Sequence, residues 1–123
     1  MAFLTDRKRA IGQGSAREGT HHFWSMTKSS AALLILVPLF VFTFGPILGA
    51  PYAEVVAYYR QPIPALIALI ALTVALLHFK GGAQVLIEDY VHGLARKITI
   101  IAVTALTYAL IAAAILAIIG LAV

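Results

Sequence analysis

The sequence predicts an all-α integral membrane protein with three transmembrane helices, one part of a heteromeric helix bundle. Two observations carry that fold class. First, 62% of the 123 residues are hydrophobic and only 11% are charged, with a mean hydropathy of +0.97. A soluble domain of this size needs a charged surface over its core, and nine basic and five acidic side chains cannot supply one. Second, the charges are segregated: residues 29–53, 61–79 and 98–123 carry none. A hydrocarbon core is crossed by about 20 apolar helical residues, so each run accounts for one span. A soluble enzyme and a disordered tail are both excluded. With no cysteine, the chain holds no disulfide, no thiolate zinc site and no iron–sulfur cluster of its own.

The chain divides into an N-terminal segment, 1–25, and a three-span anchor domain, 26–123. The first segment is polar and basic. Arg7, Lys8 and Arg9 lead into a polar stretch rather than an apolar one, which excludes a secretory signal. It closes on Thr20-His21-His22-Phe23-Trp24. Span one covers about 26–48, with Pro38 expected to kink it and Gly45-Pro46 near its end. A connection over about 49–62 holds Glu54, Arg60 and three tyrosines suited to a membrane interface. Span two covers about 63–87. A charged loop, Glu88 to Lys97, leads into span three, about 98–121.

Basic residues set the orientation. The N-terminal side has Arg7, Lys8, Arg9, Arg17 and Lys28, the first connection only Arg60, and the second loop Arg96 and Lys97. The positive-inside rule then places the N-terminus and the second loop in the cytoplasm and the C-terminus in the periplasm. This reading accounts for the net charge of +4 and leaves no case for nucleic acid as a partner. In span three, Ala105, Ala109, Ala113 and Ala117 recur every four residues, a seam that lets another helix approach closely. Three spans are few for a self-contained bundle, so partner helices are expected.

Ionisable side chains inside a membrane are costly, and each one is a functional candidate. Span two contains His78 and Lys80, with Asp89 and Tyr90 at its end. Asp89 follows His78 by 11 positions, which is close to three turns, so both share a helix face about 16 Å apart along the axis. Gly82 lies on that face one turn from His78 and leaves room for something flat and bulky. Lys80 points almost the opposite way. Four roles for His78 stay open on these grounds: a hydrogen bond to a neighbouring helix, a proton relay, a metal ligand, or an axial ligand of haem. Haem requires imidazole at mid-membrane, small residues beside it and basic groups for its propionates. Only one intramembrane histidine is well placed, so bis-histidine ligation needs a second chain.

The run His78-Phe79-Lys80-Gly81-Gly82-Ala83-Gln84-Val85-Leu86-Ile87-Glu88-Asp89-Tyr90 resembles the signature of the small hydrophobic membrane-anchor subunit of succinate dehydrogenase (respiratory complex II). In that family a second-span histidine is followed 11 and 12 positions later by Asp-Tyr. Gly19-Thr20-His21-His22-Phe23-Trp24 resembles the segment that the family places before its first span. The resemblance covers most of the chain.

It implies that His78 is one axial ligand of haem b, the other coming from the larger cytochrome b anchor subunit. It implies that Tyr90 donates a hydrogen bond to a carbonyl of ubiquinone near the cytoplasmic face, and that Asp89 helps position that site. Without the resemblance, Tyr90 reads as an interfacial tyrosine and Asp89 as a solvated charge. Relatives carry an arginine entering the first span where this chain reads Met26-Thr27-Lys28. The propionates are then expected to use Lys28, or His21, His22 and Lys80. Snorkelling of Lys80 toward the cytoplasmic interface, about 12 Å away, is the competing role.

The implied function is the membrane anchor of succinate:ubiquinone oxidoreductase, in the citric acid cycle and respiratory electron transport. Its implied partners are the larger anchor subunit, an iron–sulfur subunit, a flavoprotein subunit and the lipid bilayer. No residue here oxidises succinate, so the chain is expected to have no activity alone. An anchor of a quinol:fumarate reductase is the same architecture run in reverse. A non-enzymatic scaffold or small transporter is the reading from a different class, although transporters commonly show internal repeats and none is visible. The basic N-terminus runs into the first span without a presequence, which points to a bacterial cytoplasmic (inner) membrane.

Overall fold

In a computed structural model of the chain, residues 5–12 and 19–122 are described. They form α1 (Asp6–Ile11), α2 (Gly19–Phe44), a 3-10 turn (Gly45–Ile47), α3 (Tyr52–Tyr59), α4 (Pro62–Tyr90) and α5 (Gly93–Ala122). There is no strand among the described residues. Three helices, α2, α4 and α5, are long and apolar enough to cross a membrane. The expected all-α, three-span class is therefore the observed one. Arg17, counted toward the orientation, lies outside the described residues.

Each long helix runs beyond the apolar stretch that predicted it. Helix α2 begins at Gly19 rather than near residue 26, because nothing from Thr20 to Val37 interrupts a helix. Polar side chains in its first turns bond back to their own backbone. Thr27 Oγ1 donates to the Phe23 carbonyl at 3.0 Å, and Ser30 Oγ to that of Met26 at 2.9 Å. Such bonds satisfy hydroxyls where water is scarce. Pro38 sits inside α2 and leaves the Leu34 carbonyl without its usual helical donor. The helix tightens into the 3-10 turn at Gly45-Pro46, where proline disfavours helical geometry in the residue before it.

Helix α4 opens with Pro62 and Pro64, at positions whose N–H groups have no intrahelical partner anyway. It continues through Tyr90, so Glu88, Asp89 and Tyr90 form its last turn rather than part of a loop. The expected ten-residue connection contracts to Val91-His92. This works because Gly93 adopts a φ of +66°, the left-handed region, where a side chain would be strained. The first connection also holds an element that no apolar run announced. Helix α3 packs on α4, α5 and the 3-10 turn.

The three spans do not form a closed bundle. Helix α4 packs against α2 on one side and α5 on the other, and the backbones of α2 and α5 do not approach closely among the described residues. Small residues let α4 sit in the middle: Ala65, Ala68 and Ala71 are buried along one stripe. Tyr59 of α3 closes over Ala65 and Ala68, with Phe40, Ile118 and Leu121 around them. Burial pushes the Tyr59 phenol pKa up, with a further push from neighbouring Tyr58. Elsewhere the surface is apolar. Leu34 and Phe42 of α2 are 78% and 77% exposed, and such faces are stable only against lipid or other helices.

The alanine seam of span three lies on that outer surface. Ala105, Ala109, Ala113 and Ala117 are all exposed, whereas α5 meets α4 through a different stripe that includes the fully buried Thr107. Thr107 Oγ1 donates to the Val103 carbonyl at 2.8 Å, which removes the cost of burying the hydroxyl. The seam thus takes no part in packing within the chain.

Candidate functional site: the α2–α4 interface

Helices α2 and α4 are antiparallel, and residues near the start of α2 face the second half of α4. Ser29 Oγ lies 2.8 Å from His78 Nδ1. One turn nearer the helix ends, Met26 packs on Gly81. A β-carbon added at Gly81 would overlap Met26 Sδ, whereas one at Gly82 would stand 3.9 Å from Met26 Cε, an ordinary contact. Gly81 is buried, and the Met26 side chain fills the room left by its missing side chain beside the Ser29–His78 contact. Gly82 was expected to leave open space beside His78. It is half-buried with Met26 next to it, so part of that space belongs to α2.

Farther toward the Tyr90 end, a polar cavity of about 400 Å³ is lined by Gly19, His21, His22, Gln84 and Glu88. Gln84 Nε2 donates to Glu88 Oε1 at 2.9 Å. His22 turns toward α4, and its buried Nε2 has no hydrogen-bond partner among the described residues. A buried polar atom left unpaired is costly. His21 lines the same cavity but is exposed.

The four candidate propionate contacts converge in part: His21 and His22 share that cavity, and His22 and Lys80 line a smaller one with Met26, Ser29 and Gly81, while Lys28 stands apart. Lys28 lies on an exposed part of α2, next in sequence to Ser29 but rotated off its face by about 100°. Lys80 Nζ donates to Tyr108 Oη at 3.2 Å. The ammonium is 5.1 Å from the centroid of that ring, and at these two distances the hydroxyl is the main contact. Tyr108 sits midway along α5, so Lys80 does not snorkel toward the Tyr90 end. Side chains on a helix lean toward its N-terminus, and for α4 that is the opposite direction. Asp89 and Tyr90 are exposed at the end of α4, Tyr90 by 77%. The first two turns of the site thus come from one interface, while Asp89 and Tyr90 stand at its rim.

Residues 2–121 match the family described as succinate dehydrogenase/fumarate reductase transmembrane subunit. The chain belongs to this family. Among curated relatives, it is similar to the succinate dehydrogenase hydrophobic membrane anchor subunit of Paracoccus denitrificans, at 42% identity over 117 residues, covering 95% of this chain and 91% of that one. It is also similar to the protein of the same name from Rickettsia bellii (strain RML369-C), at 31% identity over 90 residues, with 72% and 71% covered. No solved structure matches the chain. Family membership agrees with the resemblance carried by the His78-to-Tyr90 run, and with three membrane-crossing helices it makes this a multi-pass membrane protein.

The spacing argument singled out His78, Asp89 and Tyr90 but missed Ser29, Gly81, Met26 and Tyr108. Ser29 had a signal. It is a polar residue ten positions from the start of α2, as His78 is twelve from the end of α4, and an antiparallel pair brings such residues to one depth, although the span starting near 26 hid the match.

Proposed function

We propose that the chain is the membrane anchor of succinate:ubiquinone oxidoreductase, attaching a flavoprotein and an iron–sulfur subunit to a bacterial cytoplasmic membrane beside a larger cytochrome b anchor subunit. The N-terminus and the α4–α5 turn face the cytoplasm in this reading. The observation that carries it is His78, an imidazole held between two spans by one hydrogen bond, in a chain of this family. Both named relatives are succinate dehydrogenase subunits rather than fumarate reductase subunits, which favours succinate oxidation as the direction.

The residues around His78 fit haem b. Among the described residues no three histidine, cysteine or carboxylate side chains gather to hold a metal ion. A lone imidazole suits a group that brings its own equatorial nitrogens and asks the protein only for axial donors. The Nδ1 atom is engaged by Ser29, and Nε2 makes no hydrogen bond among the described residues. His22, with its unpaired Nε2, and Lys80, which lines a pocket with His22 and Ser29, are the candidates for a propionate, with His21 in the adjoining cavity. Bound there, haem b would supply a one-electron carrier between the iron–sulfur subunit and quinone. The domain division at residue 25 becomes a division of depth within α2, since the histidines of the first segment and the first span share one helix.

At the rim, Tyr90 donates its phenolic proton to a ubiquinone carbonyl oxygen, and Asp89 orients that site and its proton supply. Quinone reduction places charge on the carbonyl oxygens, and a fixed donor is most useful there. The exposure of both side chains leaves the rest of the pocket to partner subunits. Tyr90→Phe is expected to lower the quinone-dependent rate about 100- to 1000-fold, the range for loss of one such donor. Haem content and flavin-dependent reduction of an artificial acceptor stay near normal. Unchanged quinone kinetics would remove Tyr90 from the site.

The whole reading is tested on the complex solubilised from native membranes. The chain is expected to co-purify with succinate dehydrogenase activity and a b-type reduced-minus-oxidised band, one haem per chain. A chain that purifies alone, as a homo-oligomer without flavin or haem, would return it to the scaffold or transporter class.

A further inference from the structure

The hydrogen bonds around Ser29 bear on which nitrogen of His78 carries a proton. A serine hydroxyl has one hydrogen and two acceptor lone pairs. Ser29 Oγ lies 2.9 Å from the Met26 carbonyl oxygen, in donor geometry, and 2.8 Å from His78 Nδ1. The carbonyl has no proton to offer, so the proton between Ser29 and Met26 is that of the hydroxyl. The proton between Ser29 and His78 must then be the imidazole's own. Ser30 also donates to the Met26 carbonyl, but it is exposed and lies outside this relay. With the hydroxyl donating to Met26, the ring carries hydrogen on Nδ1, and Nε2 keeps its lone pair.

We propose that Ser29 is the positioning residue of His78: its hydroxyl accepts the Nδ1 proton, which selects the tautomer with a free Nε2 and aims that atom as a donor. This inference rests on the haem reading of His78. Ligating histidines are commonly oriented by a partner of the other ring nitrogen, which also raises the basicity of the donor. Carboxylates and backbone carbonyls often take that part, but neither is hydrogen-bonded to His78 here. Backbone carbonyls near it are occupied within α2 and α4. A serine that passes its own proton back to the preceding turn does the same work without placing a second charge inside the membrane, where charge is costly.

Two features support a positioning role over simple packing. The contact joins two helices rather than neighbours in one, its partners 49 positions apart. Beside it the Met26 side chain fills the room over buried Gly81, so the contact lies within a packed interface. Removing the hydroxyl costs little volume, yet it frees the ring to turn or to adopt the other tautomer, with Nε2 protonated and unable to bind iron.

The test compares Ser29→Ala, Ser29→Thr and His78→Ala in the intact complex. Flavin content serves as the measure of assembly, with haem transfer to apomyoglobin and the haem midpoint potential as readouts. Ser29→Ala is expected to assemble normally, to release haem at least about 10-fold faster and to shift the potential upward, because a less basic imidazole favours ferric iron less. Ser29→Thr, which keeps the hydroxyl, restores both. Equal effects of alanine and threonine, or native behaviour of Ser29→Ala while His78→Ala loses the band, would overturn the role of Ser29 alone. Retention of the native band by His78→Ala would overturn the haem reading itself.

Discussion

Replacing His78 with alanine is expected to remove the low-spin b-type α-band from the complex. Among the described residues, His78 is the one imidazole well inside a span: His21 and His22 sit in the opening turns of α2, and His92 in the turn after α4. No neighbouring donor can take its place, since Ser29 and Gly81 are the groups that α2 and α4 bring to it or beside it. A methyl group leaves a gap that one water fills poorly in apolar surroundings. Flavin and iron–sulfur content serve as the measure of assembly, because a haem shared with the larger anchor subunit would itself join the two chains. The check is a reduced-minus-oxidised spectrum normalised to flavin. An α-band of native height and position in His78→Ala would show that the haem belongs to other residues.

Gly81→Leu is expected to have the largest effect on assembly. Within a bilayer the hydrophobic effect does not press helices together, and close packing and interhelical hydrogen bonds carry their association. A β-carbon at Gly81 overlaps Met26 Sδ, which the flexible methionine can relieve by turning away, but a leucine adds three further carbons at a buried position. Overpacking costs typically about 1–3 kcal/mol. Here it also pushes Ser29 from His78, so haem is lost together with α2–α4 packing. Gly82→Ala is the control, with its β-carbon 3.9 Å from Met26 Cε. Thermal inactivation of the complex and its haem-to-flavin ratio are the measurements. If Gly82→Ala proved as damaging as Gly81→Leu, the close approach would lie elsewhere than at Gly81.

The contrast between these glycines illustrates what a sequence leaves open. Counting at 100° per residue put Gly82 on the face of His78, and geometrically it is there. Which glycine bears the contact depends on the rotation of α4 against α2, and two adjacent glycines are indistinguishable until the partner helix is in place. Lys80 is a similar case. Its direction away from His78 was legible from spacing. The choice between the membrane surface and Tyr108 was not, because it depends on α5 lying at that side of α4. The histidine pair behaves likewise: only docking of α2 on α4 separates His22, with its buried Nε2, from the exposed His21.

The amino-acid sequence by itself determined the helical class, the number of spans and the family. Each of these follows from local quantities, namely charge-free length against bilayer thickness and the intervals within His78-Phe79-Lys80 through Asp89-Tyr90. Helix ends were less legible, since Gly19–Trp24 and Glu88–Tyr90 are polar yet remain helical. A helix already nucleated extends at little cost until a breaker stops it. Only the tertiary structure decided that α4 stands between α2 and α5, that the alanine seam faces outward, and that Ser29 meets His78. Those are relations between helices far apart in sequence. In an apolar chain many faces are equally hydrophobic, so hydropathy cannot choose among them, and small residues and paired hydroxyls do.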